Sequence, residues 1–468
     1  MEDLHALMRE LSSHYANLDY AVRERRMDLV ALARRAETRI RAAKSDDDAR
    51  RAIRSFLNAF GDGHLEVEWT PKPPTVEKAD HRSLCERLGY AERDMGGVDF
   101  TRVEGFTPIA DGDSGDFPGG VARLVGGHRI GVLRIHLFME KAHPRLCEAA
   151  RAALGLAEDA TCDEGCEDRL EVAVANRLTA ALERRLRALA HAGAEAVLID
   201  ISGNGGGSDW VMPAVRVMTP TPIPLGDLGV VRHAHWVKQL EGRVTSLEAD
   251  LAANGDLDHG AIARGIAKLR GAIAEVQTPC DQSAIWVDGA AKPSCTQLVR
   301  VPPVLAYAKP ESLRARKSPE DVFAPSRYAY HEGSNALPLA VLVDAWTASA
   351  AEDFAEMLQD QHAAVIVGAE TLGAGCGFTS GGIPTVLPRS GARVRISDCA
   401  RLRADGSNAV GGVMPDVVMP LIPKDSPYQR AKKVALGLDK AWPLLAGKRK
   451  GLTMSAHSIA GARAHVPH

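Results

Sequence analysis

From Ala336 onward, short apolar runs and amphipathic stretches alternate with a regularity that leaves few folds open. LPLAVLVDA has the composition of a strand, SAAEDFAEMLQDQ of a helix and AAVIVGA of a second strand. GGIPTVLP and ARVRISDCARL follow as further strands, and PYQRAKKVALGLDKAWPLL as a closing helix. Strands alternating with helices predict an α/β core with a mostly parallel sheet. AEAVLIDI, at 194–201, centres on the continuous apolar run AVLI, the mark of a strand buried on both faces. A helical run from Leu170 to Leu189 precedes it, and GGHRIGVLRIHLF (126–138) is another strand, led by a turn.

The chain before this core has a different character. Leu4, Leu7, Met8 and Leu11 fall at helical spacing, as do Leu29, Leu32 and Ala33. The charged break KSDDDARR leads into AIRSFLNAFGDGHL, with Asp46 or Asp47 expected to cap that helix. EVEW then alternates as a strand. Between 236 and 276, Val237, Leu240, Val244, Leu247 and Leu251 repeat at three and four residues, as do Ile262, Ile266, Leu269, Ile273 and Val276. Two short helices packed antiparallel across the turn ANGDLD are expected. The resulting division is an N-terminal helical domain at 1–64, a Pro/Gly-rich connecting segment at 65–125, an α/β core at 126–445 interrupted by the hairpin 236–276, and a flexible tail at 446–468. The hairpin is expected to be a packing or dimer element, with a lid as the sharper alternative. Residues 71–125 match no PDZ pattern.

Charge excludes some partners. The 468 residues carry a net charge of −3 and no basic block of the size a nucleic-acid face needs. GKRKG, near Gly447, is short enough to be a solvated tail. No apolar run approaches the roughly 18 residues that span a bilayer. The N-terminal MEDLHALMRELSSHY has no signal-peptide core, so the chain is either cytoplasmic or lacks a leader that has been removed. The eight cysteines favour the extracytoplasmic alternative, because Cys162/Cys166, Cys280/Cys295 and Cys376/Cys399 suggest themselves as local disulfide pairs. No CxxC or HExxH pattern calls for a metal, and no cofactor is expected.

Three loops at the ends of core elements carry chemistry. Ser349 follows a buried strand and opens a helix, where developing negative charge meets the positive end of the helix dipole. Ser-x-x-Glu with Glu352 is also a capping box, so a plain N-cap competes with a nucleophile. ISGNGGGS (201–208) lets backbone N–H groups approach a ligand, but matches neither GxGxxG nor a P-loop. His64, in FGDGHLEV, sits where helix gives way to strand.

Together and in this order, these segments resemble the tail-specific, or C-terminal-processing, serine peptidases, in the branch of the tricorn core protease and the interphotoreceptor retinoid-binding protein. AEAVLIDISGNGGG is similar to that family's hydrophobic strand ending in D-L-R-x-N-x-G-G. LVDAWTASAAEDFAEMLQDQHAAVIVGAETLG is similar to T-x-S-x-x-E followed by V-G-E-x-T-x-G. GDGHL resembles the histidine motif of the tricorn-like branch, and GGVMPDVVMP its closing G-V-x-P-D segment. The resemblance extends from about residue 4 to 440, apart from the Pro/Gly-rich segment and the hairpin.

The resemblance implies a ClpP/crotonase-like core and a serine endopeptidase acting on extended or C-terminal peptide segments. It makes Ser349 the nucleophile and His64 the general base. Ala350 N–H and a glycine of the triple-glycine run, Gly206 or Gly207, become the oxyanion donors. The other branch carries a lysine after the nucleophile; here Ala374 stands there, which excludes a Ser–Lys dyad at that site. Two relay residues of the tricorn protease are replaced by Gly63 and Ala409, so His64 lacks its motif-predicted orienter, with Asp62, Asp398, Asp405 or a water as substitutes. Glu352 then caps the nucleophile's helix, and Cys376 is for a disulfide or packing rather than thiol chemistry. His128, His136 and His362 are expected at the surface or in packing. The partner implied is a peptide or protein substrate, with a homo-oligomer compatible. The loss of both relay residues motivates a rival, a catalytically weak or inactive member that binds peptide or lipid.

Overall fold

The computed structural model of the chain describes residues 1–69, 82–93, 96–110, 115–253, 259–280, 282–287, 295–313, 315–378, 385–422 and 424–462. The hairpin turn at 254–258, the start of GGIPTVLP at 381–384, the end of the tail at 463–468 and parts of the 65–125 segment lie outside them. The chain divides into two units, one of Met1–Val76, Pro224–Ser326 and Gly373–Gly412, the other of Glu77–Ile223, Arg327–Leu372 and Val413–His468.

The second unit is built on a seven-stranded sheet. Its order is Val417–Val418, Ala364–Gly368, Leu339–Val343, Ala196–Asp200, Arg129–Arg134, Gly119–Arg123 and Thr107–Pro108. The first five strands are parallel and the last two antiparallel. This is the expected α/β architecture with a mostly parallel sheet. The uninterrupted apolar runs have a simple cause, since both faces are covered. Val197, Ile199, Val341 and Val343 point into one core with Leu178, Leu182, Val215 and Phe354 from the helices Glu164–His191, Val211–Val217 and Ala350–Asp360. Leu198, Ala340 and Leu342 point into the other, against Val434, Leu438 and Ala441 of the helix Pro427–Ala462. Leu198 pairs with Ala340 and Asp200 with Leu342, so the two central strands end side by side. Parallel strands that end in register deliver their following loops to one edge.

The first unit has two small sheets. Glu66–Glu68 pairs with Arg393–Arg395, which pairs with Thr385–Val386. The N-terminal helices pack on this sheet through Leu4, Leu7, Leu11, Phe56 and Leu57 against Leu387, Val394 and Ile396. The helix Asp46–Asn58 is capped by Ser45, whose Oγ accepts the Asp48 N–H at 3.2 Å, rather than by Asp46 or Asp47. ARVRISDCARL forms two strands, with Cys399–Arg401 in a second sheet beside Leu228–Val231 and Leu298–Val301. The hairpin helices His235–Ala253 and His259–Val276 pack on that second sheet through Leu240, Val244, Leu247, Ile262, Ile266, Leu269 and Val276.

All eight cysteines are paired. The three local pairs form as their spacing suggests, and Cys85 joins Cys147.

Candidate active site

Ser349 stands at the junction of the strand Leu339–Val343 and the helix Ala350–Asp360, with φ 53° and ψ −125°. A non-glycine residue in that region is strained by about 1–3 kcal/mol and persists only where its surroundings hold it. Here the holding contacts are explicit. Asp344 Oδ1 accepts the Trp346 N–H at 3.0 Å and the Gly203 N–H at 2.8 Å, which joins the serine loop to the glycine loop. Thr347 Oγ1 donates to the Ile201 carbonyl at 3.1 Å, and Ala348 N–H to the Asn204 carbonyl at 3.0 Å. The Ser349 N–H donates to Glu352 Oε2 at 2.9 Å, the reciprocal bond expected of a capping glutamate. Thr371 Oγ1 donates to Glu352 Oε1 at 2.6 Å and accepts the Val413 N–H at 2.7 Å, so the cap is itself held.

The glycine loop lies directly against this turn. A Cβ on Gly206 would stand 2.7 Å from both the Ala348 oxygen and the Ala350 nitrogen, and 2.8 Å from Ser349 Cβ. Gly206 also has φ +95°, so only glycine fits. Its N–H is already committed, donating to Asn204 Oδ1 at 2.9 Å, while Asn204 Nδ2 donates to the Ile135 carbonyl at 3.0 Å. The buried Asp200 accepts the Ser202 N–H at 2.9 Å and faces Arg134 at 3.0 Å, which anchors the start of the loop. Ala350 N–H belongs to the first residue of its helix and has no intrahelical acceptor.

His64 belongs to the first unit. Its Nδ1 lies 2.6 Å from the Ala374 carbonyl. A carbonyl only accepts, so Nδ1 carries the proton, and in the neutral ring Nε2 carries the lone pair. None of the three acidic candidates orients the ring. Asp62 Oδ1 accepts the His64 backbone N–H at 2.9 Å, while its Oδ2 accepts from Asn17 and Ser397. Asp398 faces His235, and Asp405 accepts the Ser407 N–H. The loop that supplies Ala374 is pinned by the disulfide Cys376–Cys399 and by an Asp398 N–H bond to the Gly377 carbonyl at 3.1 Å. A Cβ on Gly377, at φ +89°, would meet the His64 ring at 3.3–3.4 Å. Gly63 is exposed and Ala409 buried, and neither offers a polar side chain.

Ser349, Ala350, Gly206 and Gly207 are thus brought together in one unit, and His64 lies in the other. Sequence reasoning missed Asn204, Thr371 and the Ala374 carbonyl. Asn204 and Thr371 stand in the quoted motifs and had a signal; a backbone oxygen has none. His128 stacks on Trp442 with ring centroids 4.0 Å apart, a packing role.

Residues 268–419 match the family model described as Peptidase family S41. No curated protein matches the chain. Among solved structures, mature CPAF is similar over 95% of this chain and 97% of its own, at 15% identity and a TM-score of 0.56. A single-residue CPAF mutant gives 16% identity and a TM-score of 0.58 over 96% and 97% of the two chains. Mature CPAF complexed with lactacystin gives 15% and 0.55 over 95% and 98%. At these identities the likeness is one of fold.

Proposed function

We propose that the chain is a member of peptidase family S41, whose model matches residues 268–419, and that it is a serine endopeptidase whose nucleophile is Ser349 and whose general base is His64. His64 Nε2 takes the Ser349 hydroxyl proton as Oγ attacks the scissile carbonyl carbon. The carbonyl π pair moves onto oxygen, and the oxyanion is met by Ala350 N–H and Gly207 N–H. Gly207 is preferred to Gly206 because the Gly206 N–H is spent on Asn204. Collapse of the intermediate breaks the C–N bond, and the amine leaves with the proton from Nε2. Water then attacks the acyl carbon and gives its proton to Nε2; the bond from the acyl carbon to Ser349 Oγ breaks, Oγ takes that proton back, and the acid product leaves. Extended or C-terminal peptide segments are the proposed substrates.

One observation carries this reading: Ser349 is held in a disfavoured backbone conformation against Gly206, which admits no side chain. A serine serving only as a cap needs neither. The rival of an inactive binding protein drew on the missing relay side chains, and the Ala374 carbonyl does the orienting work they would have done. The test is mass spectrometry after incubation with a fluorophosphonate, with peptide hydrolysis followed in parallel. A single adduct on Ser349 is expected, lost in Ser349→Ala and strongly slowed in His64→Ala. Unchanged hydrolysis by Ser349→Ala would sink the reading.

A further inference from the structure

The joint between the serine loop and the glycine loop depends on a charge, and all of it lies in the second unit. Thr347 Oγ1 and Ala348 N–H contribute bonds to the neutral carbonyls of Ile201 and Asn204. Asp344 contributes a carboxylate, whose Oδ1 accepts the Gly203 N–H at 2.8 Å and the Trp346 N–H at 3.0 Å. Asp344 directly follows the strand Leu339–Val343, and its side chain is 4% exposed. A carboxylate so enclosed needs a countercharge, because its removal from water is otherwise uncompensated.

The countercharge comes from far along the chain. The Arg430 guanidinium donates to Asp344 Oδ2. Arg430 lies in the opening turn of the helix Pro427–Ala462, where its N–H donates to the Ser426 carbonyl at 3.0 Å. A cation is disfavoured there, because the helix dipole is positive at that end, and the turn holds no acidic residue to offset it. The helix itself therefore gives no reason for an arginine at this place, and Asp344 does. One carboxylate thus joins three segments, the two loops through Oδ1 and the C-terminal helix through Oδ2. The helix has a separate anchor in Lys433, whose Nζ donates to Asp425 Oδ1 at 2.7 Å and to the Pro420 carbonyl at 2.8 Å.

We propose that Arg430 is a positioning residue for the oxyanion hole and acts through Asp344. The inference rests on the roles assigned above to Ser349, Ala350 and Gly207. The two oxyanion donors stand on different segments, Gly207 N–H on the glycine loop and Ala350 N–H on the helix that Ser349 opens. Their spacing is set by the bonds that join those segments, and Asp344 supplies the charged acceptor among them. Without the guanidinium, Oδ2 is left buried and the carboxylate turns toward water, so Gly203 and Trp346 lose a fixed acceptor. The donors then leave the spacing that a tetrahedral oxyanion needs. Charge develops on that oxygen only in the transition state, so the loss falls on kcat and not on KM.

The test compares the full-length wild type with Arg430→Met, Arg430→Lys and Lys433→Met. Steady-state hydrolysis of one peptide is measured beside hydrogen–deuterium exchange of the segments 201–207 and 344–350. Arg430→Met, which keeps an unbranched apolar stem without the charge, should lower kcat by about tenfold to a hundredfold at unchanged KM. It should also speed exchange in both segments. Arg430→Lys restores the charge and should recover most of both effects. Lys433→Met loosens the same helix and should change neither. If Arg430→Met does not fold, Arg430→Gln, which keeps a donor without the charge, takes its place. Wild-type kcat in the folded neutral variant, or an equal loss in Lys433→Met, overturns the proposal. If the wild type does not hydrolyse peptide, the reading of Ser349 fails instead. Exchange then decides alone: faster exchange in the neutral variant only supports the charged joint, and equal exchange in all four proteins overturns it.

Discussion

Removing the disulfide Cys376–Cys399 separates what holds the fold from what holds His64, the proposed base. Its two cysteines are 23 residues apart. In the loop-entropy account, opening such a loop costs about 3.4 kcal/mol. Cys280–Cys295, in the same unit, spans 15 residues, and the same account gives about 3 kcal/mol. The two losses are nearly equal, so a Cys376→Ser/Cys399→Ser variant and a Cys280→Ser/Cys295→Ser variant should fall together in Tm. They should part in turnover. Only the first frees the segment whose Ala374 carbonyl accepts from His64 Nδ1 and whose Gly377 lies against the ring. That hydrogen bond has a net worth of about 1 kcal/mol, so its loss should lower kcat by roughly five- to tenfold. KM should hold, because ground-state binding is untouched. The assay is steady-state hydrolysis of one peptide by wild type and both variants, at a temperature where circular dichroism shows all three folded. Equal kcat in the two variants, whether both normal or both reduced, would refute the claim that this loop positions the base.

Gly206→Ala should cost about 1–3 kcal/mol in stability from overpacking against Ala348 and Ala350. It should also lower kcat by about a hundredfold or more by displacing the neighbouring Ala350 N–H, a proposed oxyanion donor; a folded variant with normal kcat would count against that assignment. Thr371→Val removes the donor to Glu352 and the acceptor for Val413 N–H, and urea unfolding should show a loss of about 1–3 kcal/mol. Burial raises Glu140 to about 7, above its ordinary 4.5. Its carboxyl keeps its proton in the folded state over a window where the unfolded chain has lost it, so stability should fall as pH rises from about 4.5 through about 7, by about 3 kcal/mol in all. Glu140→Gln should flatten that slope in urea titrations taken at several pH values, and an unchanged slope would exclude Glu140 as its source.

Much of this was legible because burial writes itself into sequence. The runs AVLI (196–199) and LAVLV (339–343) are apolar throughout because helices cover both faces of their strands, and the hairpin's seams are apolar because they meet each other and a sheet. Ser349, Gly206 and Ala350 were proposed from motif order, and they meet because two parallel strands end in register. Other features depend on the folded backbone. A run such as ARVRISDCARL gives no sign that it changes sheets between Arg395 and Cys399. Ser45 and Asp46 are both good caps, and only the backbone decides between them. The division of the chain into units was harder still, because Met1–Val76 shares its core with Leu387, Val394 and Ile396, more than 300 positions along.

The Ala374 oxygen has a consequence for how such a base changes over time. A side-chain orienter is one codon, and one substitution creates or deletes it. A main-chain oxygen is offered by whatever amino acid stands at 374, provided it fits that buried position. The instruction that sets the imidazole tautomer is therefore stored in the path of the loop, in Gly377 and in a covalent tie to Cys399, rather than in the letter beside it. A motif search scores the letter and finds nothing there. Substitution at 377 would disturb the His64 ring while leaving every proposed site residue in place.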